Sequence, residues 1–235
     1  MFTSSNKELI VFNGEIYNYI EIKSELTSKG IKFNSESDTE ILLKSIKFWG
    51  PEKACKKFNG MWSFIYFDLN KNLMHMSRDR FGKKPLYYFI SNNGIYFASE
   101  AKSLLSMLDK KFELNYQLIS EFTFQSQINT SSEYILKGIN QVSPSFIYTL
   151  NMHEKIKLEK KIKYWDYPKI EDTNIIFTES VKSVRDTFFN AVEVRLRSDA
   201  PMGILLSGGL DSSSIASIVK EISNDNLMLF SAVDN

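Results

Sequence analysis

The character of the chain changes once, around Tyr164-Trp165, and that change calls for two domains of different class. Before it, short apolar runs bounded by turn residues read as strands with a few helices among them. After it, a polar stretch containing Pro168 runs to Thr173, and a helix pattern follows from about Thr178 to Leu196. The expected division is a first domain over 1–165, a linker over 166–177 and the start of a second domain over 178–235.

In the first domain, an apolar strand from Glu8 to Phe12 runs into Asn13-Gly14, and Ile22 and Leu26 share a helix face closed by Gly30. Ser37 and Glu40 have the spacing of a capping box ahead of Ile41, Leu42 and Ile46. Strands are expected at Met61 to Asp68 and Leu73 to Ser77. Two more, Leu86 to Ile90 and Ile95 to Ala98, flank the turn signal Ser91-Asn92-Asn93-Gly94. This is sheet-rich α+β structure.

The second domain opens differently. Met202 to Leu206 is a short apolar strand, Ser207 to Leu210 a Gly-rich turn, Ser212 to Ile222 a helix, and Leu227 to Val233 another strand, which is the order of a βαβ unit. A parallel sheet needs several strands and both faces covered, so this domain is expected to be incomplete as given.

Composition narrows the function classes. The 235 residues, 43% hydrophobic and 14% aromatic, suffice for packed cores. With 29 basic against 28 acidic residues and no block of one sign, nucleic acid is not an expected partner. Cys55 is the single cysteine, so no intrachain disulfide can form, and the first residues lack a secretory pattern; a cytoplasmic location is expected. No apolar run approaches the roughly 20 residues that would cross a bilayer, so no membrane is expected.

Chemistry concentrates first in Ser207-Gly208-Gly209-Leu210-Asp211-Ser212-Ser213. Between a strand and a helix start, unpaired N–H groups and the helix dipole favour an anion, and two glycines let backbone approach phosphate oxygens. The Gly-Lys-Ser/Thr ending of a Walker loop is missing, so a pyrophosphate cradle fits better than transfer of a terminal phosphate. The bland alternative is a Gly-rich turn capped by Ser212; the strand-turn-helix setting favours nucleotide.

The loop is similar to the signature of ATP pyrophosphatases that adenylate a substrate. Four further segments occur in order: Asn13-Gly14-Glu15-Ile16-Tyr17-Asn18, Ser37-Asp38-Thr39-Glu40, the run Arg78 to Tyr88, and Phe97-Ala98-Ser99-Glu100. With Arg195 to Gly203 leading into the loop, the chain resembles the glutamine-hydrolysing asparagine synthetase (asparagine synthetase B) family along nearly its whole length. The resemblance implies an α+β N-terminal-nucleophile glutaminase domain followed by the start of an α/β parallel-sheet ATP pyrophosphatase domain.

What the resemblance implies about residues is specific. Asn13 (side chain) and Gly14 (backbone N–H) would be the oxyanion donors; Asp38 would hold the glutamine α-ammonium, with Glu15 in the same binding segment. Taken singly, Asn13-Gly14 is a turn and Asp38 an acid in a first helical turn. Ser207, Gly208, Gly209, Ser212 and Ser213 would cradle pyrophosphate, Asp211 would help hold Mg2+, and Leu206 would border the adenosine. Ala232 and Val233, ending the next strand, would present backbone to adenine.

The implied reaction amidates aspartate through β-aspartyl-AMP, with ammonia from glutamine, ATP and Mg2+ consumed or required, and a homodimer allowed. Two rivals stand beside it: an amidotransferase acting on another carboxylate, such as a sugar acid or antibiotic precursor, and a non-enzymatic remnant that only binds nucleotide.

Other residues receive structural readings. The aromatic alternation of Arg78 to Tyr88 argues sheet core and a structured turn. Cys55, in a short helix-like segment, reads as a half-buried structural thiol, and His75 and His153 are isolated from ligand-type neighbours.

The chain also departs from the family's pattern. The family begins Met-Cys-Gly and carries an arginine before the segment like Asn13-Gly14-Glu15; here the second residue is Phe2, so the chain is expected to lack its N-terminal portion. Loss of a nucleophile acting with its base costs on the order of 10⁶ in rate. Neither glutaminase nor synthetase activity is therefore expected of this chain by itself. Pro144-Ser145 stands where Pro-Gly is usual, which suits a turn with negative φ at Ser145.

Overall fold

In chain order the first part of the molecule runs β1 (Glu8–Ile16), α1 (Tyr19–Ser28), α2 (Asp38–Trp49), α3 (Pro51–Lys57), β2 (Gly60–Asp68), β3 (Leu73–Arg78), β4 (Tyr87–Ser91) and β5 (Gly94–Ala98). It continues through α4 (Ala101–Met107), α5 (Tyr116–Gln125), β6 (Asn140–Gln141), β7 (Phe146–Asn151) and β8 (Lys157–Lys163). The structure, a computed structural model, describes residues 1, 7–92, 94–125, 132–153, 156–169, 176–223 and 228–233. It divides into two units, Met1–Pro168 and Lys169–Asn235.

The first unit holds a five-stranded antiparallel sheet, ordered β1-β2-β3-β7-β8, and a three-stranded one, ordered β5-β4-β6. Alternation along β2 explains the layers. Trp62, Phe64 and Tyr66 join Ile22, Leu26, Ile41, Ile46 and Phe58 on the helical side, while Ile65 and Phe67 face the other way. On that second face Tyr88, Ile90, Ile95 and Phe97 of the smaller sheet meet Met74, Met76 and Leu150. The outer face of the smaller sheet packs Phe89 and Tyr96 against Leu104 of α4. Helices, sheet, sheet and helix follow in that order, the α+β arrangement expected of sheets packed with helices.

A β2 strand covered on both faces must be apolar at nearly every position, and it reads that way in sequence. Trp62 is fully buried, stacked on Tyr164 and edge-on to Phe58. Burial of a side chain that size contributes at least about 3 kcal/mol.

Four expectations need correction here. First, the strand read from Glu8 to Phe12 does not stop at Asn13-Gly14: β1 continues through it to Ile16, paired with β2 down to Gly60, which removes the turn alternative. Second, Ser37 caps α2 by accepting the Thr39 amide at 3.2 Å, but Glu40 does not close a capping box. Its carboxylate instead receives the Asn34 and Ser35 amides, the Ser35 hydroxyl and Lys44. Third, Cys55 is fully rather than half buried. Fourth, Ser145 has φ +66°, not a negative value. Its hydroxyl donates to Arg80 O at 2.8 Å and its amide to Asp79 O at 3.0 Å, which holds the residue in the left-handed region.

The second unit contains α6 (Phe177–Glu193), tightening into a 3₁₀ turn Val194–Leu196, then β9 (Gly203–Leu205), α7 (Leu210–Ile222) and β10 (Met228–Phe230). β9 and β10 pair in parallel with α7 between them, the βαβ order read from the sequence. Val192, Ile218 and Val219 make its small core with Phe189, Ile204 and Ile215. The second strand ends at Phe230, so Ala232 and Val233 lie beyond it rather than in it. Asn93 of the expected turn, 170–175 of the expected linker and Leu227 fall outside the described residues. Among the described residues no helix is long and apolar enough to cross a membrane.

Candidate functional site

β1 is an edge strand, and its register decides what it offers to a ligand. The Tyr17 amide donates to Asn59 O at 2.8 Å, so odd-numbered amides of β1 turn inward to β2 and even-numbered ones turn to the open edge. Two even-numbered amides show this directly. Ile10 N donates to Met1 O at 2.9 Å, and Ile16 N to Asp38 Oδ2 at 3.1 Å. The Gly14 amide, between them, points to the same edge.

Glycine at position 14 is required by the backbone. At φ +155°, a β-carbon there would sit 2.1 Å from Met61 O and 2.7 Å from Trp62 Cα. Gly60 mirrors it across the pair, where a β-carbon would meet Glu15 O at 2.1 Å. Two glycines thus let the ends of β1 and β2 approach more closely than side chains would allow.

Alternation places Ile10, Phe12 and Ile16 on the helical face and Asn13 and Glu15 on the face toward the second sheet. From there Asn13 Nδ2 donates to Ser99 Oγ at 3.2 Å, across 86 residues of sequence. Asp38, half-buried at the first position of α2, lies beside the Glu15-Ile16 peptide through its bond to the Ile16 amide. Glu15 is exposed and pairs with Met61. The fold therefore gathers Asn13, Gly14, Glu15 and Asp38 at one end of the edge strand: a turned-out N–H, a carboxamide donor and a carboxylate. Ser99 belongs with them. Its signal in the sequence was the Phe97 to Glu100 segment, which carried no assigned role.

The Arg78 to Tyr88 run is structural, as expected. The Asp79 carboxylate accepts the amides of Trp62, Phe81, Lys83 and Lys84 at 3.0–3.2 Å. The Arg78 guanidinium donates to the carbonyls of Gly82, Lys84 and Val142. Burial pushes the Cys55 thiol up to about 12, with the Ser77 hydroxyl 3.6 Å away, so this cysteine is no nucleophile. Burial holds His75 down to about 4, its Nδ1 3.0 Å from Thr149 Oγ1. Among the described residues no three His, Cys, Asp or Glu side chains gather as a metal site would require.

In the second unit Leu206 to Gly209 joins β9 to α7, and the loop motif runs on into the first turn of the helix as far as Ser213. Leu206 is tied to the neighbouring strand end: its amide donates to Phe230 O at 2.7 Å and its carbonyl accepts the Ser231 hydroxyl at 2.7 Å. Gly208 turns the chain at φ +81°, and Gly209 is the N-cap of α7 with no side chain capping it. Ser212 is therefore not the cap. Its hydroxyl bonds within the loop, accepting the Ser207 amide at 3.3 Å and donating to Gly209 O at 3.2 Å.

The first helical bond runs from Ser213 N to Gly209 O, which leaves the Leu210, Asp211 and Ser212 amides ahead of any i−4 acceptor. These N–H groups and the positive helix end suit pyrophosphate oxygens, and Asp211, exposed in the first turn, could share a cation with them. Ala232 and Val233 are exposed just past β10, near in sequence to the Ser231 that meets Leu206. A cavity of about 890 Å³ elsewhere in this unit, lined by Val192, Leu196, Ile204, Ile215 and Val219, includes none of the loop's residues.

Comparison with known proteins bears on both units. Residues 1–165 match the family described as glutamine amidotransferase domain, and residues 183–233 the one described as asparagine synthase. Asparagine synthetase (glutamine-hydrolyzing) 1 of Bacillus subtilis is 38% identical over 215 residues, covering 90% of this chain and 32% of that protein. Putative asparagine synthetase (glutamine-hydrolyzing) 2 of Methanocaldococcus jannaschii is 37% identical, covering 92% of this chain and 41% of that protein. Amidase chyE of Penicillium rubens is 32% identical, covering 90% and 30%. The chain thus spans about a third of the length of the curated relatives it matches.

Proposed function

The chain belongs to the glutamine amidotransferase domain family, and on that premise we propose that it is part of a glutamine-hydrolysing asparagine synthetase, with the glutamine site at the end of β1. The observation that carries this reading is the outward-turned Gly14 amide with Asn13 Nδ2 and the Asp38 carboxylate gathered beside it.

In the proposed chemistry a nucleophile attacks the side-chain amide carbon of glutamine, and the carbonyl oxygen becomes an oxyanion. Gly14 N–H and Asn13 Nδ2 donate to that oxygen as its charge grows, which lowers the barrier more than it tightens ground-state binding. Asp38 pairs with the α-ammonium, with Glu15 in the same segment. Collapse of the oxyanion expels ammonia, which leaves with the proton the nucleophile gave up; water then cleaves the acyl bond, releasing glutamate and the free nucleophile. Cys55 is buried and does not act in this step.

The ammonia then meets aspartate activated at the second unit. There the β-carboxylate of aspartate displaces pyrophosphate from ATP, and ammonia displaces AMP to leave asparagine. Ser207, Gly208, Gly209, Ser212 and Ser213 would hold the pyrophosphate; Leu206, Ala232 and Val233 would border the adenosine. Mg2+, when bound, would screen the phosphate charge, with Asp211 as its protein ligand. The free thiol of Cys55 fits a cytoplasmic location, and a homodimer is the proposed assembly.

Acceptor-dependent release of AMP by the intact protein tests this reading. Release with aspartate and glutamine supports it. Release only with another carboxylate favours the second reading, an amidotransferase of different acceptor, for which the likeness to an amidase is the motivating observation.

A further inference from the structure

We propose that Ser99 is a positioning residue for glutamine hydrolysis, its hydroxyl holding the Asn13 carboxamide so that Nδ2 faces the forming oxyanion. This rests on the glutamine site placed above at the end of β1. Asn13 Nδ2 carries two hydrogens, and one of them goes to Ser99 Oγ at 3.2 Å. The second is left for the substrate oxygen. A flipped carboxamide would still find a donor in the serine hydroxyl but would present Oδ1, an acceptor, to the oxyanion. Only the observed orientation serves both partners at once.

The serine is itself well placed. It follows directly on β5, whose end is fixed by the pairing of Ala98 with Tyr87, and it precedes Glu100, the N-cap of α4. Phe97, two residues before, is packed against Phe67 of the facing sheet. Asn13 stands on the sheet-facing side of an edge strand, exposed, with Ser99 as the partner of its Nδ2. Ser99, an exposed residue in the bend directly after β5, therefore gives the amide a partner on the side of the second sheet before the reaction begins. Ordering one such side chain in advance is worth about a threefold to tenfold change in rate.

The test uses the intact protein with Ser99→Ala, Ser99→Thr, Asn13→Ala and the Ser99→Ala/Asn13→Ala pair, reading ammonia release from glutamine. Synthesis driven by added ammonia reports that each variant is folded. Because the oxyanion exists only after attack, Ser99→Ala should lower kcat about threefold to tenfold and leave the KM for glutamine within about twofold. Ser99→Thr, which keeps the hydroxyl, should restore the rate. In the Asn13→Ala background the serine change should add nothing further. Wild-type kcat in Ser99→Ala, or the same loss with Asn13 already removed, overturns the proposal while the oxyanion reading stands. If Asn13→Ala itself leaves ammonia release unchanged, the oxyanion reading falls and the proposal with it.

Discussion

The Asp38 carboxylate accepts the Ile16 amide at 3.1 Å and so ties the first turn of α2 to the open edge of β1. The bond leaves the carboxylate beside the Gly14 amide's edge of the strand, where its charge can serve a ligand.

Asp38→Asn separates the two roles. The side-chain oxygen of asparagine can still accept the Ile16 amide, so stability should change by less than about 1 kcal/mol. The lost charge should raise the KM for glutamine about tenfold to a hundredfold, the worth of a charge-assisted hydrogen bond. Steady-state kinetics beside urea unfolding checks this; an unchanged KM counts against the assignment.

Gly14 and Asn13 should respond in opposite ways. Gly14→Ala drives a β-carbon into the Met61 carbonyl, 2.1 Å away in the present backbone, and should cost more than about 3 kcal/mol or prevent folding. Asn13→Ala, at an exposed position, should change stability by only about 0.5 kcal/mol. It should nonetheless lower kcat for ammonia release about a hundredfold to a thousandfold. Thermal unfolding and ammonia release measured on both variants give the comparison.

At Ser145 the backbone strain of φ +66° is balanced by the bond to Arg80 O. Ser145→Gly removes both and should fall within about 1 kcal/mol of wild type. Ser145→Ala keeps the strain, strips the Arg80 carbonyl of that donor, and should lose about 1–2 kcal/mol. Equal unfolding midpoints for the serine and alanine forms would refute the balance.

Glu40 makes stability depend on pH in a defined direction. Burial opposes its charge, but Lys44, the Ser35 hydroxyl and the Asn34 and Ser35 amides outweigh that and hold the carboxyl at about 2, against an ordinary value of 4.5. A depressed acid contributes stability that is complete above the unfolded value and is lost as pH falls through the folded one. Glu40→Gln should therefore be about 1–3 kcal/mol less stable at neutral pH, with the deficit shrinking below about pH 4.5. Urea unfolding of both forms, at neutral pH and in acid, reads the difference; a constant deficit would contradict it.

Much of this architecture was legible because period-two alternation bounded by turn residues is a local signal. β2, β3, β4 and β5 lie within a residue or two of where the pattern puts them, as do β9 and α7, whereas β10 stops at Phe230, three residues short of the expected Val233. The pattern carries the first strand only to Phe12 because Asn13-Gly14 is a dipeptide that suits a turn. Here Gly14 serves instead to bring β1 close to Trp62, which only the partner strand reveals. The positive φ of Ser145 depends on bonds to Asp79 and Arg80, some 65 residues away, and no local preference announces it. The meeting of Asn13 with Ser99 joins two sheets, so it had to await the fold.

Transfer of labelled nitrogen tests the central claim most directly. The intact protein would be given glutamine labelled at the side-chain amide, together with aspartate, ATP and Mg2+. The account predicts asparagine carrying the label on its side-chain amide, formed in step with AMP and pyrophosphate; in Asn13→Ala its formation falls about a hundredfold or more, and free ammonia restores asparagine without the label. Label appearing in a different amide, or asparagine formed equally well by Asn13→Ala from glutamine, would contradict it.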